Sequence, residues 1–165
     1  MQPLLIRRSA AQACLDRFAG QAFAWGRSDC ARLAAFALRG LGHNPRLARF
    51  GTYSTAIGAR RALKRAGFDT IEAALDGMGL PRIPPAAALP GDIIALPSAD
   101  DEAWPALCVA LGGGRVLGFH GEVGLAVVMQ PEVWGLAWRV DPKTPRGRRR
   151  EGLAPAMARP GRARL

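Results

Sequence analysis

Residues 90–119, PGDIIALPSADDEAWPALCVALGGGRVLGF, mark the point where the chain changes its period. Before Pro90 the apolar residues recur at helical spacing. After it they come in short runs bounded by Gly, Pro and acidic residues, the mark of strands. Residues 92–96 (DIIAL), 106–111 (ALCVAL) and 115–119 (RVLGF) read as strands, and 123–128 (VGLAVV) and 136–140 (LAWRV) continue the series. Gly112-Gly113-Gly114 suits a tight hairpin turn. It is not a phosphate loop, because no Lys-Ser/Thr and no helix follow. Upstream, residues 9–19 place Ala11, Cys14, Leu15 and Phe18 on one helical stripe. A second helix is expected from a Ser28 cap to about Gly40, with Leu33, Ala34, Ala37, Leu38 and Leu41 as its buried face; so many alanines call for close packing. A third, over 54–66, starts at Ser54 or Thr55 and stops at Gly67, and Thr70 caps a short fourth. A proline-rich crossing, PRIPPAAALPG, follows. Helices first and strands second define an α+β fold, N-terminal helices packed on a C-terminal antiparallel sheet, rather than a parallel wound sheet.

The chain has 165 residues, 49% of them apolar and 22% charged. That is enough to bury a core and excludes wholesale disorder. No apolar run reaches the roughly 18 residues of a membrane span. The start, MQPLLIRRSAAQ, places its apolar patch before its arginines, the reverse of a signal peptide. A soluble protein made in the cytosol is the expectation. Three cysteines cannot all pair, and with two histidines they offer no zinc spacing, so no metal and no cofactor is called for.

The net charge of +10 is unevenly placed. Residues 142–165 hold eight Lys/Arg against Glu151 alone, a net +7, which leaves +3 on residues 1–141. We read 1–141 as the folded domain and 142–165 as a Pro/Gly/Arg-rich arm, disordered when free, with Arg146, Arg148, Arg149 and Arg150 at its centre. Such an arm suits an acidic protein surface or nucleic acid, or serves as a solubilising terminus; the lack of interleaved aromatics argues against nucleic acid.

The chemistry-bearing stretch is Phe23-Ala24-Trp25-Gly26-Arg27-Ser28-Asp29-Cys30. Cys30 falls in the first turn of the second helix, where unpaired amides and the macrodipole favour an anion. A thiolate there is expected to have a lowered pKa and to gain nucleophilicity. Cys14 and Cys108 sit on apolar stripes and are read as core.

Trp-Gly-x-x-Asp-Cys opening a helix, with Pro90-Gly91-Asp92 and a strand some sixty residues later, resembles the NlpC-type branch of the papain-like cysteine peptidases, which cleave peptidoglycan stem peptides. The chain is similar, more closely, to a small family of tail proteins from bacteriophages and related particles. The residues that carry this are Phe23–Cys30, Gly51-Thr52-Tyr53, Gly58-Ala59, Gly91-Asp92, the Gly-Gly hairpin, Gly124-Leu125 and Trp138-Arg139-Val140, over about residues 15–140. The resemblance implies a papain-like domain over 1–141, Cys30 as nucleophile and Asp29 as the residue that orients the loop or helix start. It implies a place in the virion tail after synthesis in the host cytoplasm. In the peptidases a histidine begins the strand before the hairpin; Ala106 stands in its place. Their third polar residue would fall near Gly118.

A substitute base is available. Val116, Gly118 and His120 share one strand face by alternation, so if Gly118 faces Cys30, His120 can too, about 7 Å further along; the alternative is an exposed turn residue next to Gly121. Trp25 could wall a substrate groove and Tyr53 could donate to an oxyanion. Trp134 and Trp138 are read as packing the sheet. Two functions follow. The first is a tail-tip adaptor with a degenerate peptidase fold, whose partners are other tail-tip proteins. The alternative is an active peptidoglycan endopeptidase or amidase, with Cys30 attacking and His120 as base, that opens the wall during DNA entry.

Overall fold

The computed structural model describes residues 2–98 and 104–143. Four helices come first: α1 (Pro3–Phe18), α2 (Cys30–Gly40), α3 (Ala56–Arg65) and α4 (Ile71–Gly77). Six strands follow: β1 (Arg82–Ile83), β2 (Ile93–Leu96), β3 (Ala106–Gly112), β4 (Arg115–Phe119), β5 (Ala126–Met129) and β6 (Leu136–Trp138). They form one sheet in the order β1-β6-β2-β3-β4-β5, every neighbour antiparallel. The fold is α+β, as the change of period at Pro90 requires.

Local chemistry sets most boundaries. Thr55 accepts from the Gly58 amide and Thr70 from the Ala73 amide, each satisfying an orphan donor at a helix start. The cap of α2 is Asp29, not Ser28. Ser28 is drawn into a bridge with Ala24, which exchanges both backbone hydrogen bonds and leaves the next residue to cap. Helix α1 begins at Pro3 rather than near Ser9; its first turn has no side-chain cap, and Leu4 and Leu5 point outward, so the apolar stripe does not reveal it. The two-residue β1 is hidden in the proline-rich crossing. The β3–β4 hairpin turns through Gly112, Gly113 and Gly114, all at positive φ (91°, 61° and 71°), which side chains rarely adopt.

Alternation splits the sheet into two apolar layers. Ile93, Ala95, Leu107, Val109, Leu117 and Trp138 pack with the helices, against Cys14, Leu33, Ala37 and Leu38. Ile94, Leu96, Cys108, Ala110, Val116 and Ala137 form the second layer, with Trp134 and Met129 at its margin. α1 comes close to α2 at Gly40, where a Cβ would lie 3.2 Å from that of Ala10.

One charged cluster lies inside. Asp92, wholly buried, accepts from the Arg7 guanidinium (2.9 Å) and the Val140 amide (2.8 Å) on one oxygen. The other oxygen takes the Leu89 amide (2.9 Å) and faces Arg139 at 3.3 Å. Arg7 also reaches Asp141 at 3.0 Å. Thus the Gly91-Asp92 and Trp138-Arg139-Val140 motifs form one unit that ties α1, the start of β2 and the end of β6 together. Val140 leaves the sheet ladder to join it, which is why β6 stops at Trp138. Among the described residues, no helix is long and apolar enough to cross a membrane. Arg146, Arg148, Arg149 and Arg150 lie outside the described residues.

Candidate functional site

The loop before α2 is organised by the Asp29 carboxylate, which is 1% exposed. One oxygen accepts the Arg32 amide at 2.9 Å and closes the first turn of the helix. The other accepts the Gly26 amide at 2.7 Å and the Tyr53 hydroxyl at 2.8 Å. Gly26 has φ +75°, and a Cβ there would run into the Tyr53 carbonyl oxygen, so both the backbone angle and the close approach demand glycine. The Trp-Gly-x-x-Asp pattern therefore has a structural reason: Asp29 needs a tight turn to gather three donors. Asp29 orients the loop, as the resemblance implies. Tyr53 gives its one proton to Asp29. Burial, followed by the Asp29 charge, pushes its pKa well above the usual tyrosine value.

Cys30 follows this hub at the first position of α2, but its side chain points into the core with Leu33, Leu107 and Leu117. It is 7% exposed. Burial pushes its thiol from 9.0 up to about 11, and the adjacent Asp29 charge adds to the rise. Backbone hydrogen bonds from Leu107, Ala31 and its own residue pull the other way and lose. The lowered pKa expected from the helix terminus is thus not found: at this depth desolvation outweighs the dipole.

The sign of this shift fixes a pH effect. A thiol raised in the fold stabilises it fully below the free value, and that stability is lost as pH climbs from 9.0 towards 11. Wild-type chain should therefore lose on the order of 2 kcal/mol more than Cys30→Ala over this window. Urea unfolding of both chains at pH 8 and pH 11 checks it; parallel losses would contradict it.

His120 does not join the site. The condition that would have brought it there is not met: position 118 faces the second layer, where a Cβ would collide with Cys108 Sγ and touch Met129 at 3.4 Å, while Cys30 lies in the first layer. His120 stands at the end of β4, its backbone closed on Leu125 and Gly124, its Nδ1 buried without a hydrogen-bond partner. No hydrogen bond joins it to Cys30 among the described residues. Gly118 leaves no room for a polar third residue either. Gly118→Ala should destabilise by about 2 kcal/mol through overpacking, and Cys108→Ala should restore most of the loss. Thermal unfolding of the two single variants and the double variant measures this coupling, and additive losses would refute the contact.

Trp25 is half-buried and stands edge-on to Phe23, with ring centroids 4.9 Å apart; Phe23 in turn meets Phe119 at 5.3 Å. This aromatic row braces the loop against β4. The main cleft lies elsewhere, between α2, the turn over 47–50, α3 and α4. Tyr53 lines it, whereas Trp25 and Cys30 do not. Among the described residues, no group of three or more His, Cys, Asp or Glu could hold a metal ion. The reading of the sequence missed Arg7, whose partner is 85 residues away, and the cleft cations Arg32, Arg46 and Arg49, which are scattered along the chain.

The fold and the Asp29 hub define an α+β domain built around a capped, cysteine-bearing helix. Residues 5–140 match the family described as a domain of unknown function, DUF6950. The chain belongs to that family. No curated protein and no solved structure matches it.

Proposed function

We propose that the protein is a structural adaptor of a bacteriophage tail tip, built on a papain-like, NlpC-type domain in which Cys30 serves as core rather than as nucleophile. The observation that carries this reading is the state of Cys30: 7% exposed, with its thiol raised to about 11 and no side-chain base hydrogen-bonded to it among the described residues. A nucleophilic cysteine needs the opposite, a lowered pKa and access to substrate. The residues of the resemblance also have structural duties here. Gly26, Asp29 and Tyr53 set the loop before α2, and Asp92, Arg139 and Val140 lock the end of the sheet to α1. These duties need no catalysis.

In this reading the protein is made in the host cytoplasm, resides in the virion tail and has other tail-tip proteins as partners, with the arm over 142–165 as a further contact. The peptidase reading would require Cys30, His120 and Asp29 to act together on peptidoglycan. The test is to incubate the full chain with purified sacculi, beside Cys30→Ala, and to assay purified tails for the chain by mass spectrometry. The adaptor reading expects the chain in the tails and no stem-peptide release above the variant. Release that depends on Cys30 would overturn it.

A further inference from the structure

The cleft between α2, the turn over Leu47–Phe50, α3 and α4 encloses about 450 Å³, the size of a ligand site. Its floor is aliphatic, with Ala35, Leu38, Leu63 and Leu75 all buried. Arg32, Arg46, Arg49 and Lys143 stand around it, and no acidic residue lines it among the described residues. None of these four cations has an ion pair.

Two further observations point to a missing acceptor. Arg32 Nε and Trp104 Nε1 line this cleft, and both are buried donors without a hydrogen-bond partner. Such donors are rare in folded proteins, and an incoming acceptor removes their cost. Arg46, moreover, is held at φ 48°, ψ 44°, the one non-glycine residue with positive φ among those described. A left-handed arginine in the wall of a cleft is backbone strain stored where a side chain must be presented.

We infer that this cleft is a docking site for an acidic, leucine-rich peptide segment of a partner protein, its carboxylates on Arg32, Arg46 and Arg49 and its aliphatic side chains on the floor. Charge complementarity selects this occupant. The protein's own arm, with a net charge of +7, has the same sign as the cleft and is not its complement. The aliphatic floor favours a peptide over nucleic acid. The inference stands on the cleft alone and holds whether or not the protein belongs to a tail tip.

The test is fluorescence anisotropy with the full chain. The probe is a fluorescein-labelled peptide of repeated Leu-Glu-Glu units. A matched Leu-Gln-Gln peptide, labelled oligo(dT) and a peptide of residues 144–165 are the comparisons. The acidic peptide should bind at least about tenfold more tightly than the glutamine peptide, with affinity falling as salt rises. Arg49→Glu and Arg46→Gly should each weaken it at least about fivefold, and Arg46→Gly should do so while holding or raising Tm, because glycine relieves the left-handed backbone. Arg32→Gln should weaken binding as well, with circular dichroism checking that the chain still folds. Equal binding of the two peptides would overturn the inference, as would indifference to Arg46→Gly and Arg49→Glu. Tighter binding of oligo(dT) or of the arm peptide would assign the cleft to another occupant and overturn it equally.

Discussion

Asp92→Ala is expected to cost about 3–5 kcal/mol. The carboxylate is completely buried, and four groups converge on it: Arg7, Arg139 and the amides of Leu89 and Val140. Removing it leaves Arg7, 2% exposed, charged within the protein and without its buried counter-ion, and strands two amides that the sheet ladder does not satisfy. For a domain of this size the loss corresponds to a fall in Tm of roughly 10–15 °C. Arg7→Met should cost less, because Asp92 keeps Arg139 and the amides of Leu89 and Val140, and a methionine fills the space. The double variant Arg7→Met/Asp92→Ala should be more stable than the sum of the single losses. Urea unfolding of the three chains decides it; a loss under about 1 kcal/mol for Asp92→Ala would mean that the cluster is not a structural lock.

The second large effect is at Asp29. Asp29→Ala removes the N-cap of α2 and the acceptor for Gly26 and Tyr53 at once. A cap is worth about 1 kcal/mol and a hydrogen bond to a buried charge about 1.5–3 kcal/mol, so a loss of about 3 kcal/mol is expected. Tyr53→Phe should remove only part of it, about 1–2 kcal/mol, and should cost almost nothing further once Asp29 is alanine, since the hydroxyl then has no carboxylate to serve. Chemical denaturation of the double-mutant cycle measures the coupling. Independent losses would mean that the hub does not act as a unit.

Much of this was legible in the sequence. Thr55 and Thr70 announce their helices because a cap acts within three residues, and the strands after Pro90 show because alternation is local. What the sequence could not show acts across distance. Ser28 and Asp29 are equally good caps on paper; the bridge between Ala24 and Ser28 decides between them. Arg7 reads as one of a pair of N-terminal arginines, yet it is buried because its partners lie just before β2 and beyond β6. The position of Cys30 at a helix start was correct, and the dipole argument for a reactive thiol is sound for an exposed terminus. Here Cys30 sits within the core beneath the helices, 7% exposed, and that depth reverses the outcome. The faces of β4 were paired correctly with one another, but which face meets the helices depends on register. Gly118 turned out to face Cys108. The cleft cations come from α2 (Arg32), from the Leu47–Phe50 turn and the residue before it (Arg49, Arg46) and from the start of the arm (Lys143), so no local pattern joins them.

The central claim is that Cys30 is a core residue. The most direct measurement is its alkylation rate by iodoacetamide against pH, read by peptide mass spectrometry in the wild type and in His120→Ala. The account predicts slow labelling in the native chain with no reactive thiolate below pH 9, a rate that rises only as the fold opens, and no change on removing His120. Rapid labelling with an apparent pKa below the free value of about 8.5, shifted upward in His120→Ala, would contradict it and make Cys30 and His120 a catalytic pair.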